Sequence, residues 1–215
     1  CFEILKWFIK ENMNVNFKLI QESFNDYIEK VNRKIRKEAK DGQTTATGAI
    51  ILPDETLVFN IGDSRGYIVS GNDFFQATND KSHVYELLNE GAIATPELTR
   101  FHLESNFVTN TLGSNELQSV DYYFYPTSSF DRVAVVTDGV CDCLSADQIK
   151  KIITNYDDPN VAKTLVDRAL KTTSCLTEEL KSLIAPQDRG SYYDIIPGAI
   201  DNTTAVVYTK NKRTK

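Results

Sequence analysis

The sequence predicts an α+β fold built on antiparallel sheets. Three observations support this class: helical periodicity opens the chain, a run of short β-rich segments follows it, and further strands alternate irregularly with helices. Separate runs of helices and strands favour α+β proteins, whereas regular alternation would favour a parallel sheet. The 215 residues, of which 41% are hydrophobic and 25% charged, are enough for one sizeable core. We expect a single domain over residues 1–209 and a basic tail over 210–215.

Apolar residues recur at helical spacing twice near the start of the chain. The first series lies within residues 2–9 and the second within residues 17–35. Positions three and four apart share one face of a helix, so each series predicts an amphipathic helix packed against a core. The polar stretch "ENMNVN" at 11–16 is expected to separate the two helices.

Four β-rich runs then follow, separated by turn signals such as Pro53-Asp54 and Gly71-Asn72. Their order and short spacing predict an antiparallel meander. The runs are "TTATGAIIL", "TLVFNIG", "GYIVSG" and "FFQAT".

The second half mixes helices with strands. "SHVYELLNEG" is helical, and Thr95 is a candidate N-cap before Pro96. Ser145 and Gln148 match a capping box at the start of "SADQIKKIIT". "NVAKTLVDRALK" is also helical, and 172–200 is less regular. Strands are expected at "SVDYYFYP", "VAVVT" and "TTAVVYT".

The composition excludes several classes of protein. A net charge of −6 argues against nucleic acid as a partner. The four cysteines form no C-x-x-C pair and there are two histidines, so a structural zinc site is not expected. A disulfide framework is unusual at this length, which favours a reducing cytosol. The first ten residues contain Glu3 and Lys6 and predict neither a signal sequence nor a membrane span. Because the chain begins with Cys1 rather than Met, we expect residues upstream of it.

Three acidic residues stand at the ends of predicted strands. Asp63 follows "LVFNIG", Asp138 follows "VAVVT", and Asp201 precedes "TTAVVY". The end of one antiparallel strand neighbours the start of the next, so these acids are placed to gather at one edge. Clustered carboxylates repel one another, and either a shared proton or a hard cation such as Mg²⁺, Mn²⁺ or Ca²⁺ would relieve the repulsion. Asp-Gly and Asp-Asn are also common turn dipeptides, so the pattern leaves a turn role open for each acid.

Ser64 lies in a competing motif. "GDSRG" matches the G-x-S-x-G nucleophile elbow of serine hydrolases. That elbow requires a helix after the serine, whereas "YIVSG" is β-like. The hydrolase triad also needs a late histidine, and His83 and His102 both precede residue 103. We therefore interpret Ser64 as a turn residue.

The order of the short motifs resembles that of the type 2C metal-dependent Ser/Thr protein phosphatases, the PPM family, and particularly its bacterial branch. Members carry G-T-T, G-D-S-R, T-x-D-H-S, G-x-I, L-G, D-G-x-x-D and D-N-x-T in that order. The corresponding segments here, between about residues 43 and 209, are "GQTTATG", "GDSRG", "TNDKS", "LLNEGAIATPEL", "TNTLG", "TDGVCDCLS" and "DNTTAVVY".

The resemblance implies a β-sandwich of two antiparallel sheets flanked by helices. It also implies that Asp138 and Asp201 ligate a core pair of Mn²⁺ or Mg²⁺ ions. Asp63, together with Asp138 and Asp142, would serve a third and looser metal. Residues 79–110 would form a mobile flap beside the catalytic cleft.

This sequence departs from the family pattern in three places. The phosphate-binding Arg, a Glu-Asp pair and the D-G-x-G-G whose Asp bridges both core metals would lie upstream of Cys1, so we expect the N-terminal strands of the fold to be missing from this sequence. Lys81 replaces the usual His of T-x-D-H-S. The stretch 172–200 is longer than the family's link before D-N, and its role is not evident from the sequence.

The resemblance implies Mg²⁺- or Mn²⁺-dependent hydrolysis of phosphoserine and phosphothreonine in proteins through a metal-bridged water. The alternative is a catalytically inactive, phosphatase-like scaffold that binds a phosphoprotein or a kinase. We expect phosphorylated Ser/Thr proteins as partners and a Ser/Thr protein kinase as a further candidate. Neither nucleic acid nor a membrane is expected as a partner, and the protein is expected to be a cytoplasmic monomer.

Overall fold

A computed structural model describes residues 17–40, 42–115, 117, 119–198 and 201–210. The predicted helix over 2–9, the predicted break at 11–16 and all but the first residue of the basic tail lie outside this part. No helix within it is long and apolar enough to cross a lipid bilayer.

The strands of the described residues form three antiparallel sheets. They are β1 (Ala46–Ile51), β2 (Glu55–Ile61), β3 (Arg65–Ser70), β4 (Asp73–Gln76), β5 (Asp121–Pro126), β6 (Arg132–Val136), β7 (Ser174–Cys175), β8 (Ile195–Ile196) and β9 (Ala205–Thr209). The first sheet has the order β1-β2-β5 and the second has the order β4-β3-β6-β9. The strands β7 and β8 form a small separate pair.

The two larger sheets face each other and form a sandwich. Val58 of the first sheet packs with Ile68 and Val133 of the second, and Phe130 completes this buried cluster. Alternating strand residues can point toward a facing sheet in this way, which is how sandwiches bury their cores. The prediction of an α+β fold with two antiparallel sheets is therefore confirmed.

Helices cover both outer faces of the sandwich. They are α1 (Phe17–Glu38), α2 (His83–Asn89), α3 (Pro96–Thr99), α4 (Asp138–Cys141), α5 (Ala146–Ile153), α6 (Val161–Lys171) and α7 (Glu178–Ser182). Phe24 and Ile28 of α1 pack on Ile61 of the first sheet. The helices α5 and α6 pack on the second sheet.

Two helix starts test the predicted caps. Ser145 and Gln148 form the predicted capping box, with both reciprocal hydrogen bonds present. Thr95 does precede Pro96 at the start of α3, but its side chain makes no capping hydrogen bond. Its hydroxyl is buried without a hydrogen-bond partner among the described residues.

The prediction of one continuous meander is wrong. The hairpin β1-β2 belongs to the first sheet, whereas the hairpin β3-β4 belongs to the second. The chain crosses between the sheets at Gly62–Ser64, where Gly62 has a φ of +105°. A glycine adopts this conformation without steric cost, which allows the abrupt change of direction. The crossing places Asp63 at the end of the sandwich.

A smaller apolar cluster lies beside the sandwich. The flap segment (79–110) contributes Val84, Leu98 and Phe101, and the stretch at 172–198 contributes Leu176 and Ile196, among others. We call 172–198 the buttress segment. Backbone hydrogen bonds also join the two segments, including one from the Tyr193 N–H to the Phe101 carbonyl at 2.7 Å. The stretch without an evident role in the sequence therefore packs against the flap.

We predict that Phe101→Ala loosens both segments together. Phe101 is fully buried between them, and removing a buried Phe side chain typically costs about 3–5 kcal/mol. Hydrogen exchange followed by mass spectrometry should show lost protection in both the flap and the buttress segment, with the strands of the sandwich still protected. Phe107→Ala, at a flap residue that is 60% exposed, is the matched control. Loss of protection confined to the flap would contradict the packing described.

Candidate metal centre

The acids predicted from strand ends meet at one end of the sandwich. Asp63, Asp138 and Asp142 line a single narrow cleft, which Arg65 and Arg100 also line. Asp201 is exposed, and its charge acts on Asp138. Three of the four candidate metal ligands therefore share the cleft, and Asp201 lies close enough to Asp138 for its charge to act there.

Asp63 is held by the crossing between the sheets. A Cβ at Gly62 would lie 2.4 Å from the Thr45 Cγ2, so the turn fits closely against the "QTTATG" segment. The hydroxyls of Ser64 and Thr45 are 3.0 Å apart, and the Thr47 hydroxyl donates to the Ser64 carbonyl at 3.3 Å. Asp63 itself is only 8% exposed.

Ser64 is a turn residue in the structure, as interpreted from the sequence. The strand β3 follows it directly, where a nucleophile elbow would require a helix. Its side chain is buried and paired with Thr45. The serine-hydrolase alternative is therefore not supported.

Asp138 and Asp142 lie on one helical turn. The Asp142 N–H donates to the Asp138 carbonyl at 2.8 Å, and residues four apart in a helix share a face. Val140 and Cys141, between them, are buried in the core cluster on the second sheet. The apolar side of the turn thus anchors it, and the acidic side borders the cleft.

Asp201 is tied to the same turn through the backbone. The Thr137 N–H donates to the Thr204 carbonyl at 3.1 Å, and the Thr137 hydroxyl donates to the Asn202 carbonyl at 3.1 Å. A Cβ at Gly139 would lie 2.8 Å from the Asn202 carbonyl oxygen. The Asp-Gly and Asp-Asn segments can approach this closely because residue 139 is glycine.

Sequence reasoning missed an ion pair in the cleft. The Arg65 Nη2 lies 2.6 Å from the Asp80 Oδ2, and the Arg65 Nε donates to the same oxygen at 2.8 Å. The other Asp80 oxygen accepts from the Gln76 amide at 2.7 Å. Both charged residues stood in recognised motifs, "GDSRG" and "TNDKS", but nothing in one sequence indicated that they pair.

Lys81 occupies the position of the histidine in the T-x-D-H-S motif, and its side chain forms an ion pair. Its ammonium lies 2.9 Å from the Asp121 Oδ2 at the start of β5. Its N–H donates to the Gly62 carbonyl at 3.0 Å. Lys81 therefore links the start of the flap segment to the sandwich.

Burial and mutual repulsion disfavour ionisation of the cleft acids. Burial and the Asp138 charge raise the pKa of Asp63 to about 7, and the same two causes raise the pKa of Asp142 to about 7. Burial raises the pKa of Asp138, and the Asp201 charge adds to the effect. A cation in the cleft would relieve both the desolvation and the repulsion.

These donors fit a hard divalent cation. Carboxylate oxygens are the ligands that Mg²⁺ and Mn²⁺ prefer, and neither a histidine nor an ionised thiol lines the cleft. Within the described residues, no three His, Cys, Asp or Glu side chains come close enough together to enclose an ion. The cleft thus supplies oxygen ligands of the kind that these cations prefer. Its carboxylates line the cleft and do not converge on one ion position.

Comparisons with known proteins point to one family. The profile of the family described as Protein phosphatase 2C matches residues 1–173. Protein phosphatase PhpP of Streptococcus pneumoniae is 31% identical over 150 residues, which cover 67% of this chain. The match spans only 60% of the length of that relative.

Solved structures show the same fold. Serine/threonine phosphatase Stp1 from Staphylococcus aureus superposes with a TM-score of 0.67 at 22% identity, covering 94% of this chain and 72% of that one. The catalytic domain of PstP, solved in complex with two manganese ions, superposes with a TM-score of 0.57 at 21% identity, covering 91% and 72%. At these identities the likeness establishes the architecture.

We predict that the acids make the stability of the metal-free protein pH-dependent. Folding raises the pKa of Asp63 from 3.8 to about 7, so the folded state binds that proton more tightly than the unfolded state. The stabilisation is complete below about pH 4 and is lost as the pH rises toward 7. Asp63→Asn, neutral at every pH, should therefore be the more stable protein at about pH 7.5, by on the order of 1 kcal/mol or more.

Urea unfolding in the presence of a chelator measures the free energy of unfolding of both proteins at about pH 5 and about pH 7.5. The difference between Asp63→Asn and the unsubstituted protein should shrink at the lower pH. An equal difference at both pH values would contradict the burial of an acid with a raised pKa.

We also predict that Gly139→Ala weakens metal binding. The added methyl group would force the Asn202 carbonyl away from the Asp138 turn, with a stability cost of about 1–3 kcal/mol. Calorimetric titration with Mg²⁺ should give an affinity reduced about tenfold or more. Gly190→Ala is the matched control, because no atom lies within 4 Å of a Cβ at that position. An unchanged Mg²⁺ affinity in Gly139→Ala would show that the two segments do not cooperate.

Proposed function

Because the chain belongs to the protein phosphatase 2C family, we propose that the protein hydrolyses phosphoserine and phosphothreonine esters in other proteins, using Mn²⁺ or Mg²⁺. The observation that carries the proposal is the cleft in which burial and the charge of Asp138 raise the pKa values of Asp63 and Asp142. Acids this costly to ionise are typical of functional sites.

In the proposed mechanism Asp138 and Asp201 would hold the core metal ions, and Asp63, together with Asp138 and Asp142, would hold a further one. When bound, the ions supply Lewis-acid chemistry and activate water for attack on a phosphoester. The contribution of the chain is to fix its carboxylates on rigid elements. Asp63 follows β2, Asp138 and Asp142 lie on the turn after β6, and Asp201 precedes β9.

The pairing of Arg65 with Asp80 supports metal binding in the cleft. A guanidinium close to the ligand carboxylates would compete with a metal ion for them. Asp80 holds Arg65 through two contacts on one carboxylate oxygen, while Gln76 supports the other oxygen. The pair therefore leaves the ligand carboxylates available for cations.

Substrates of this chemistry are made by protein kinases, so we propose that a Ser/Thr protein kinase acts on the same phosphoproteins. We also propose a cytoplasmic location and a monomeric state. The exposed Cys175 forms no disulfide with another described cysteine, which is compatible with a reducing compartment.

The alternative of an inactive scaffold gains no support from the named relatives, which are phosphatases.

We predict that the natural full-length protein releases phosphate from a phosphothreonine peptide in a Mn²⁺-dependent manner. Asp138→Asn should lower turnover by at least about 100-fold, because it removes a charge that the metal requires. Asp147→Asn, which changes an exposed acid on α5, is the matched control and should keep full turnover. Titration of Mn²⁺ during the assay gives the metal dependence.

Two results would count against the proposed function. A folded protein without turnover at any Mn²⁺ concentration would favour the scaffold. Equal turnover in Asp138→Asn and the unsubstituted protein would remove Asp138 from the metal site.

A further inference from the structure

Arg65 and Arg100 line the acid cleft, and their environments differ. Arg65 is paired with Asp80 at 2.6 Å. In the described part of the chain, no carboxylate oxygen lies within 4.0 Å of the Arg100 guanidinium. Arg100 thus brings to the cleft a positive charge that no described acid neutralises by direct contact.

The hydrogen bonding of Arg100 is also incomplete. Its Nη1 donates to the Ser174 hydroxyl at 3.4 Å, while its Nε is buried and has no partner among the described residues. Burial lowers the pKa of Arg100 in spite of the opposing charge of Asp142. A charged group with an unpartnered donor is costly to bury, and an anion beside the guanidinium would supply the missing counter-charge.

The buttress segment fixes the position of Arg100. Ser174 is 7% exposed, and its hydroxyl donates to the Cys143 carbonyl at 2.7 Å. Cys143 directly follows Asp142 in the chain. Ser174 therefore connects the Asp138–Asp142 turn to the flap. The residues after Arg100 are held too, because the Phe101 carbonyl accepts from the Tyr193 N–H and the Leu103 N–H donates to the Ser191 carbonyl.

A guanidinium suits a phosphate monoester in this setting. Its planar array of N–H groups matches the phosphoryl oxygens, and it keeps its charge when desolvated. In a metal-loaded cleft the carboxylates would be bound to cations, so they would not be available to pair with Arg100. The arriving phosphate dianion then supplies the counter-charge that Arg100 lacks.

We propose that Arg100, carried by the flap segment and positioned by Ser174, binds the phosphoryl oxygens of the substrate beside the carboxylate cleft. This inference rests on the proposed function, because it places the phosphate of that reaction. It assigns a substrate-binding role to the flap and a positioning role to the buttress segment. The interpretation to exclude is that Arg100 only balances the charge of Asp142.

The test measures binding of inorganic phosphate to the Mg²⁺-loaded natural full-length protein by calorimetry, beside KM and kcat for a phosphothreonine peptide. Arg100→Ala should weaken phosphate binding about 10- to 100-fold and raise KM, and Arg100→Lys should recover part of the loss. Mg²⁺ affinity should change by much less than phosphate affinity, whereas a role only in balancing Asp142 predicts a change in Mg²⁺ affinity with phosphate affinity unaffected. Arg168→Ala removes an exposed arginine of α6 as the matched control.

Ser174→Ala tests the positioning role in a double-mutant cycle. It should weaken phosphate binding when Arg100 is present and have no further effect in the Arg100→Ala background. If Arg100→Ala does not fold, Arg100→Gln takes its place in both series. Equal effects of Ser174→Ala in the two backgrounds would overturn the positioning role.

The outcomes separate this inference from the proposed function. Phosphate binding and KM unchanged in a folded Arg100→Ala variant would overturn the inference, even if the protein is an active phosphatase. Arg100-dependent phosphate binding without any turnover would support the inference and overturn the function.

Discussion

The repulsion among carboxylates that share one poorly hydrated cleft is the constraint on which the rest of the structure depends. Asp63, Asp138 and Asp142 could each be solvated at the surface at little cost, yet the fold desolvates them together. Their raised pKa values measure how strongly the metal-free protein resists ionising them. A divalent cation would make that arrangement favourable. The free energy of metal binding would then offset the free energy that folding spends on bringing the carboxylates together.

Rigid backbone maintains this arrangement. The second sheet supplies β6 and β9 as neighbouring strands, so Asp138 after one and Asp201 before the other lie at the same edge. Gly62 and Gly139 permit the two close backbone approaches that aim the acids. Buried side chains such as Val140 hold the Asp138 turn from behind. The site therefore inherits its geometry from the sandwich core.

The sequence predicted the parts of the fold that depend on local pattern. Hydrophobic periodicity located α1, the capping box located the start of α5, and strand-end acids located the cleft. The pairing of strands was not predictable, because "TLVFNIG" and "GYIVSG" look like neighbours in a meander and yet belong to different sheets. The Arg65–Asp80 pair and the contact of the buttress segment with Phe101 join residues about 15 or more positions apart, and no local rule specifies such contacts. Arg100 escaped notice because a single arginine at the end of a short helix carries no pattern.

Proton release on metal binding is the most direct test of the claim that these carboxylates hold the metal. At about pH 6.5 a pKa near 7 leaves Asp63 and Asp142 largely protonated, and a metal ion that they ligate must displace those protons. Titration of Mn²⁺ into the metal-free protein in buffers of different ionisation enthalpy measures the number released. We predict release of on the order of one proton or more at this pH, falling toward zero at about pH 8.5. Mn²⁺ binding with no proton release at either pH would contradict the account.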